Sequence, residues 1–220
     1  MARPSRPVAS KARAPAAPRP FLRGVDDTQA LILTAARDLF LEAGVARFSL
    51  REVARRVGIS PAAVYRHFEH KEALILAACT QGFQIFSSYL VRALAASTPL
   101  SRLLAAGEQY RAFGLENPLD YRFIFMSPAE EVCPPPDPEV APDLPQYSTF
   151  RFLVDRVSEC MATGALKAGD PEPVALYIWA HVHGLVSLRL SAHLGWLGDE
   201  QAFAEHYRAS VARLLSGLQA

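Results

Sequence analysis

Residues 49–71 read Ser-Leu-Arg-Glu-Val-Ala-Arg-Arg-Val-Gly-Ile-Ser-Pro-Ala-Ala-Val-Tyr-Arg-His-Phe-Glu-His-Lys. This stretch specifies two short helices and a tight turn. Ser49, with Glu52 three residues on, is a capping-box pair for the start of the first helix. Val53, Ala54 and Val57 give that helix an apolar face, and Gly58 supplies the left-handed residue that stops it. Ile59 is an apolar plug for the corner. Ser60 then caps a second helix, and Pro61 falls at its first position, where a missing N–H loses no intrahelical bond. Such a pair is a helix-turn-helix, whose second helix enters the major groove of DNA. Val64 and Phe68 lie four apart and turn to the core, while Tyr65, His67 and Lys71 project elsewhere with donors suited to phosphate oxygens.

Upstream, a helix is expected from about Asp26–Thr28 to just before Gly44, with Asp26 and Gln29 as its cap pair. Ile32, Ala35, Ala36, Leu39 and Phe40 recur at helical spacing. They face the same small core as Phe48 and Leu50. Taken together, Ala36, Leu39–Phe40, Gly44, Ser49–Ala54, Val57–Ser60, Val64–Phe68 and Lys71–Leu74 resemble the N-terminal domain of the TetR family of transcriptional regulators. The resemblance implies an all-α homodimer that places two recognition helices on a palindromic double-stranded DNA operator and responds to a small-molecule effector. It further implies that Arg51, Ser60, Ala62 and Ala63 approach base edges, and that Ser49, Tyr65, His67 and Lys71 hold phosphates. Ala62 and Ala63 suit thymine methyls but donate nothing, which leaves Arg51 as the candidate for guanine. Arg55 and Arg56 read equally well as a solvated face.

Charge is distributed unevenly along the 220 residues, although the net charge is only +1. Residues 1–25 carry six bases and no acid, residues 26–75 seven of each, and residues 76–220 ten bases against fifteen acids. Positive charge is thus concentrated at the end that carries the DNA motif. The first twenty residues contain five prolines and read as a disordered basic arm, either reaching along DNA or simply solvated. The organisation expected is an arm (1–25), a DNA-binding domain (26–72) and a helical effector-binding and dimerisation domain (73–220). Cys79, Cys133 and Cys160 are scattered, without metal-site or disulfide spacing, and fit a reducing cytoplasm. No run is expected to reach the length of a membrane span.

The second half reads as further helices. One runs from Lys71 to about Ala96 and links the DNA motif to the rest; another spans about Leu100–Leu115. Tyr121, Phe123, Ile124, Phe125 and Met126 follow on a short aromatic helix. Aromatic residues near helix breaks either line a ligand cavity or fill a core. Tyr110, Phe113, Tyr121, Phe125 and His183 are the candidates for an effector pocket. Residues 127–146 hold seven prolines and five acids and no base, the composition of an exposed loop. Helices are then expected over about Gln146–Thr163, from Asp170 to about Leu194 and from Asp199 onward. The last two carry more apolar surface than one chain covers, which suggests a four-helix dimer interface. Trp179, Leu185, Leu188, Tyr207, Val211 and Leu214 are its candidates. Trp179, His183 and Gly184 form W-x-x-x-H-G, similar to the C-terminal domain type of TetR regulators named for Trp-His-Gly; Gly184 is expected to permit close helix approach.

No catalytic constellation is evident. His181 and His183 point about 200° apart on a helix and do not share a metal ion easily. Hydrolase, zinc-protease and phosphate-loop motifs are absent, and no cofactor or metal is implied. Two alternatives stay open at this level: a small helical enzyme using His181 or His183, and a DNA-binding protein without an effector.

Overall fold

The computed structural model describes residues 25–132, 145–193 and 198–219. The basic arm up to residue 24, Cys133, most of the proline-rich stretch and the expected end of the penultimate helix lie outside them. Every regular element among the described residues is helical. In order these are α1 (Val25–Ala43), α2 (Leu50–Val57), α3 (Pro61–Tyr65), α4 (Lys71–Arg92), α5 (Pro99–Glu116), α6 (Pro118–Phe125), α7 (Ala129–Val132), α8 (Pro145–Ala162), α9 (Pro171–Leu190) and α10 (Glu200–Leu218). Short 3-10 turns follow α1 and α4.

Helix ends fall where the cap chemistry puts them. Ser49 accepts from the Glu52 N–H, Gly58 is left-handed at φ 80°, Ser60 accepts from the Ala63 N–H, and Asp170 and Asp199 cap α9 and α10. The capping box on α2 is only half made. The Glu52 carboxylate turns instead to Arg55, whose Nε donates to it at 2.8 Å. A complete box occurs at α5, where Thr98 and Ser101 satisfy each other's backbone N–H groups. α1 begins at Val25 rather than at an Asp26 cap, and a short helix, α7, occupies part of the expected loop.

α1 packs on α2, α4 and α6; α4 in turn packs on α5, α6 and α8; and α9 lies between α5, α8 and α10. The core runs without interruption from Ile32, Val53 and Val64 near the DNA motif to Phe113, Tyr121, Val186 and Phe203. The expectation about membrane-span length is corrected here. Lys71–Ala95 is long and apolar enough by length and composition, with mean hydropathy 1.4, but half of its most apolar window is buried inside the protein. Leu74, Ile75, Phe83, Phe86 and Leu90 of this segment are buried against the rest of the protein, as the apolar stripe of a core helix is, while Leu76, Val91 and Leu94 are exposed.

Candidate nucleic-acid interface and ligand cavity

Ser49, Arg51, Tyr65 and Lys71 come together around a shallow concavity of about 360 Å³, along with Phe48, Leu50, Glu69, His70 and Glu72. Ser60 and Ala62 are exposed on α3, and Ala63 is half-buried there. His67 is half-buried beyond the helix, its ring 6.3 Å from that of Phe68. Four of the eight expected DNA-facing residues therefore share one surface depression and four lie outside it. His70 was not foreseen. Its Nδ1 accepts from the Ala73 N–H at 3.1 Å, capping α4 and fixing Lys71 at the helix start. Histidine is an uncommon cap, so the usual Ser/Thr/Asp/Asn signal was missing.

The three arginines of α2 differ sharply. Arg55 is paired with Glu52, and Arg56 donates to Glu42 at 2.6 Å. Hydrogen bonds from these guanidiniums hold both carboxyls below the ordinary glutamate range. Arg51 is exposed and has no ion pair among the described residues. Arg55 and Arg56 already serve the chain's own surface, and Arg51 is left to project outward.

Far along α4, a cavity of about 480 Å³ opens between α4, α5, α6, α8 and α9. Phe83, Phe86, Tyr110, Phe125, Phe150, Trp179 and His183 are among its walls. Of the residues expected at an effector pocket, Tyr110, Phe125 and His183 line this cavity. Phe113 and Tyr121 are not on the wall: both are fully buried behind it, Phe113 with its ring 5.0 Å from Phe86. Tyr121 reaches the site through hydrogen bonds. Its hydroxyl lies 2.8 Å from His183 Nδ1, and the Tyr110 hydroxyl lies 3.1 Å from Tyr121 Oη and 3.0 Å from the same ring nitrogen. Trp179 Nε1 donates to Tyr110 Oη at 3.3 Å. Burial pushes the pKa of Tyr110 and Tyr121 up and that of His183 down. All three are therefore neutral near neutral pH.

The expected dimer residues divide. Trp179 lines the cavity. Tyr207 and Val211 belong to the chain's own core, and the Tyr207 hydroxyl donates to the Gly107 carbonyl at 2.7 Å. An apolar stripe on α10 satisfies a neighbour in the same chain as well as it would a partner. Leu185 and Leu214 are half-buried against that core, and Leu188 is exposed. Leu188 continues a face the sequence did not single out, with Leu176 and Tyr177 more than half exposed and Ala180 between them. A Cβ on Gly184 would meet nothing within 4 Å, so this glycine permits no close approach inside the chain. His181, one turn from Tyr177 and Gly184 on α9, pairs through Nε2 with Ser210 Oγ at 3.0 Å.

Two contacts join the cavity wall to the DNA motif. Arg37 on α1 donates through Nη1 to Asp120 of α6 at 2.7 Å, and it also binds Asp38 at 2.8 Å. Burial alone would lower the Arg37 pKa, but the two carboxylates outweigh it and raise the pKa above its ordinary value. Beside this pair, Phe40 of α1 meets Phe123 of α6 edge-on at 5.3 Å.

A helix-turn-helix at one end, an apolar cavity at the other and a shared helix between them define a helical DNA-binding regulator. The comparisons agree. Residues 32–78 match the family model described as bacterial regulatory proteins, tetR family, and residues 103–211 match the tetracyclin repressor-like C-terminal domain. This chain belongs to the TetR family. It is similar to the HTH-type transcriptional regulator Rv1816 of Mycobacterium tuberculosis, with 22% identity over 77% of this chain and 83% of the relative. It is also similar to the HTH-type transcriptional activator FasR of Mycolicibacterium smegmatis, 32% identical over 46% of each chain. Among solved structures, a protein of unknown function from Rhodococcus sp. RHA1 superposes with a TM-score of 0.72 at 26% identity, covering 92% of this chain and all of the other. AibR in complex with isovaleryl coenzyme A and operator DNA gives 0.61 at 21% identity, over 72% of this chain and 85% of AibR. The chain is a transcriptional regulator, and the reading of a small enzyme built on His181 or His183 is set aside.

Proposed function

We propose that the protein is a homodimeric cytoplasmic repressor, held on a palindromic operator until a small molecule enters the cavity. One observation carries this reading: α6, which contributes Ile124 and Phe125 to the cavity, is the helix tied to α1 by Arg37 and Asp120. α4 provides a second path, with Lys71 at the DNA end and Phe83, Phe86 and Leu90 in the cavity. A ligand that fits only one arrangement of these helices shifts the population toward it, by no more than its difference in affinity for the two states. The recognition helices then leave the separation of about 34–36 Å that fits successive major grooves. The fold-level likeness to AibR, described with both a ligand and operator DNA, supports this reading. The division of labour follows the chain, with residues 26–72 meeting DNA and 73–220 holding effector and partner. Fluorescence anisotropy on DNA flanking the protein's own gene, with and without apolar ligands, is the test. Binding that no ligand alters would leave a DNA-binding protein without an effector.

On the DNA side, Arg51 reads a base and Lys71 holds a phosphate. Arg51→Ala is expected to cost about 1–3 kcal/mol at one operator position and to relax preference there. Lys71→Ala is expected to weaken all sequences alike and to flatten the salt dependence. Binding to a set of single-base operator variants separates the two, and a uniform loss for Arg51→Ala would remove its base-reading role.

The partner is a second copy, met along Tyr177, Gly184 and Leu188 of α9, beside Leu176 and Ala180, which also border the cavity. A two-fold interface presents each residue twice. Leu188→Asp is therefore expected to raise the dimer dissociation constant at least about tenfold, because two carboxylates would be buried without partners. Sedimentation equilibrium measures this, and an unchanged dimer would move the interface off α9.

A further inference from the structure

We infer that the cavity takes an uncharged, largely apolar ligand whose single neutral acceptor oxygen, of the ketone kind, is received by the Nε2–H of His183. The inference rests on the effector reading of the cavity and deepens it by naming the chemistry of the occupant.

Three observations exclude most other chemistries. First, no Asp, Glu, Lys or Arg is among the described residues lining the cavity. A charged ligand would lose its water with no counter-ion to replace it, and unpaired buried charge is among the costliest things a protein can hold. Second, the walls are broad and aromatic: Phe83, Phe86, Phe125, Phe150 and Trp179 suit a flat or ring-based body.

Third, the polar groups around His183 form a directional chain; the wall's other hydroxyls are those of Ser127, which donates to the Arg122 carbonyl at 3.3 Å, and of buried Thr149. Trp179 Nε1–H can only donate, and it donates to Tyr110 Oη. The Tyr110 hydroxyl then has Tyr121 Oη as an acceptor at 3.1 Å. The Tyr121 hydroxyl, in turn, has His183 Nδ1 at 2.8 Å, closer than the His183 carbonyl at 3.3 Å. The Tyr110 hydroxyl also lies 3.0 Å from Nδ1. Assigning the Tyr121 hydrogen to its shorter contact makes Nδ1 the acceptor and leaves the proton of neutral His183 on Nε2. Nε2 has no partner among the described residues, and His183 lines the cavity. The chain of donors ends on an N–H that no described residue receives. A ligand that supplies an acceptor there completes it, whereas a pure hydrocarbon leaves it unmet. Burial holds His183 below its ordinary pKa and so disfavours the imidazolium that an anionic ligand would need.

Isothermal titration of the full chain with three probes of similar shape tests the idea: β-acetylnaphthalene, β-isopropylnaphthalene and β-naphthoate. The ketone is expected to bind about tenfold tighter than the hydrocarbon, the factor one neutral hydrogen bond supplies, and the carboxylate weakest. His183→Phe is expected to erase the ketone's advantage. The wild-type ranking needs no variant, and a second readout accompanies it: the carbonyl stretch of the bound ketone moves to lower frequency than in hexane. Equal binding of ketone and hydrocarbon, or a preference for naphthoate, would overturn this inference while leaving an apolar effector cavity in place. If none of the three binds, the hydrocarbon included, the effector reading falls and this inference with it.

Discussion

Arg37→Ala is expected to lower the unfolding free energy by about 2–4 kcal/mol and, separately, to shrink the difference an effector makes to DNA affinity. The guanidinium bridges two carboxylates, and the side chains of Arg37 and Asp120 are only 16% and 11% exposed. Truncation leaves Asp120 as a poorly solvated charge. Part of that loss is softened because Asp120 stands in the first turn of α6, where the helix dipole favours an acid. This places the expected cost below the upper end of the range for breaking a buried pair. The functional effect follows from position. The ion pair joins α1, which packs on α2 of the DNA motif, to the helix that walls the cavity. Without it, movement of α6 reaches α1 through apolar contacts such as Phe40–Phe123 and through the shared helix α4. Allosteric coupling of this kind is typically worth about 1–3 kcal/mol in total, so losing one of its connections should be visible in the effector's shift of the DNA dissociation constant. Arg37→Lys keeps the charge but not the forked geometry, and should recover stability only in part. Urea denaturation and anisotropy titrations with and without ligand give the two readouts. Loss of stability with an undiminished effector response would make the pair a structural tie with no part in signalling.

What the sequence disclosed and what it withheld divides along local and non-local lines. Caps, turns and helix periods are decided within a few residues, so Ser49, Gly58, Ser60 and Pro61 announced the helix-turn-helix, and its elements were found close to their expected places. Even there, one competition was hidden: Glu52 had Arg55 three residues away, and ion pairing took the carboxylate that the capping box wanted. The cavity depends on how five helices rotate against one another. Phe113 and Phe125 look alike in sequence, yet one is fully buried behind the wall and the other faces the empty space. The same limit applies to Tyr207 and Val211, because an apolar stripe does not say whether its cover comes from its own chain or a partner. Arg37 and Asp120 are 83 residues apart, and no local pattern relates them. Arg51 was singled out by type and position. What strengthens it is its exposure and the fate of its neighbours, since Arg55 and Arg56 are bound to glutamates and it is not.

Phe113→Ala is expected to be the most destabilising of the substitutions considered, at about 3–5 kcal/mol. The ring is completely buried and is packed by Phe86 at 5.0 Å, Tyr89 at 5.7 Å and Tyr121 at 6.3 Å. Removing it opens a void that these rigid side chains cannot close without leaving their rotamers. The neighbouring residue shows how little slack there is: a Cβ on Gly114 would stand 2.5 Å from Val186 Cγ1 and 3.1 Å from the Tyr121 ring. Tyr121 is hemmed in on one side by α9, and loss of Phe113 would free it on the other, loosening the hydroxyl that fixes the His183 tautomer. The comparison variant is Phe125→Ala. Phe125 is half-buried and already borders the cavity, so its truncation forfeits fewer contacts and should cost less stability. It should nevertheless weaken an aromatic ligand more, because a wall has been removed. The two variants are thus expected to rank in opposite orders, Phe113→Ala worse in urea denaturation and Phe125→Ala worse in ligand titration. The reverse ranking in both assays would put Phe113 in the wall and Phe125 behind it, and the placement of the cavity between α4, α5 and α6 would have to be redrawn.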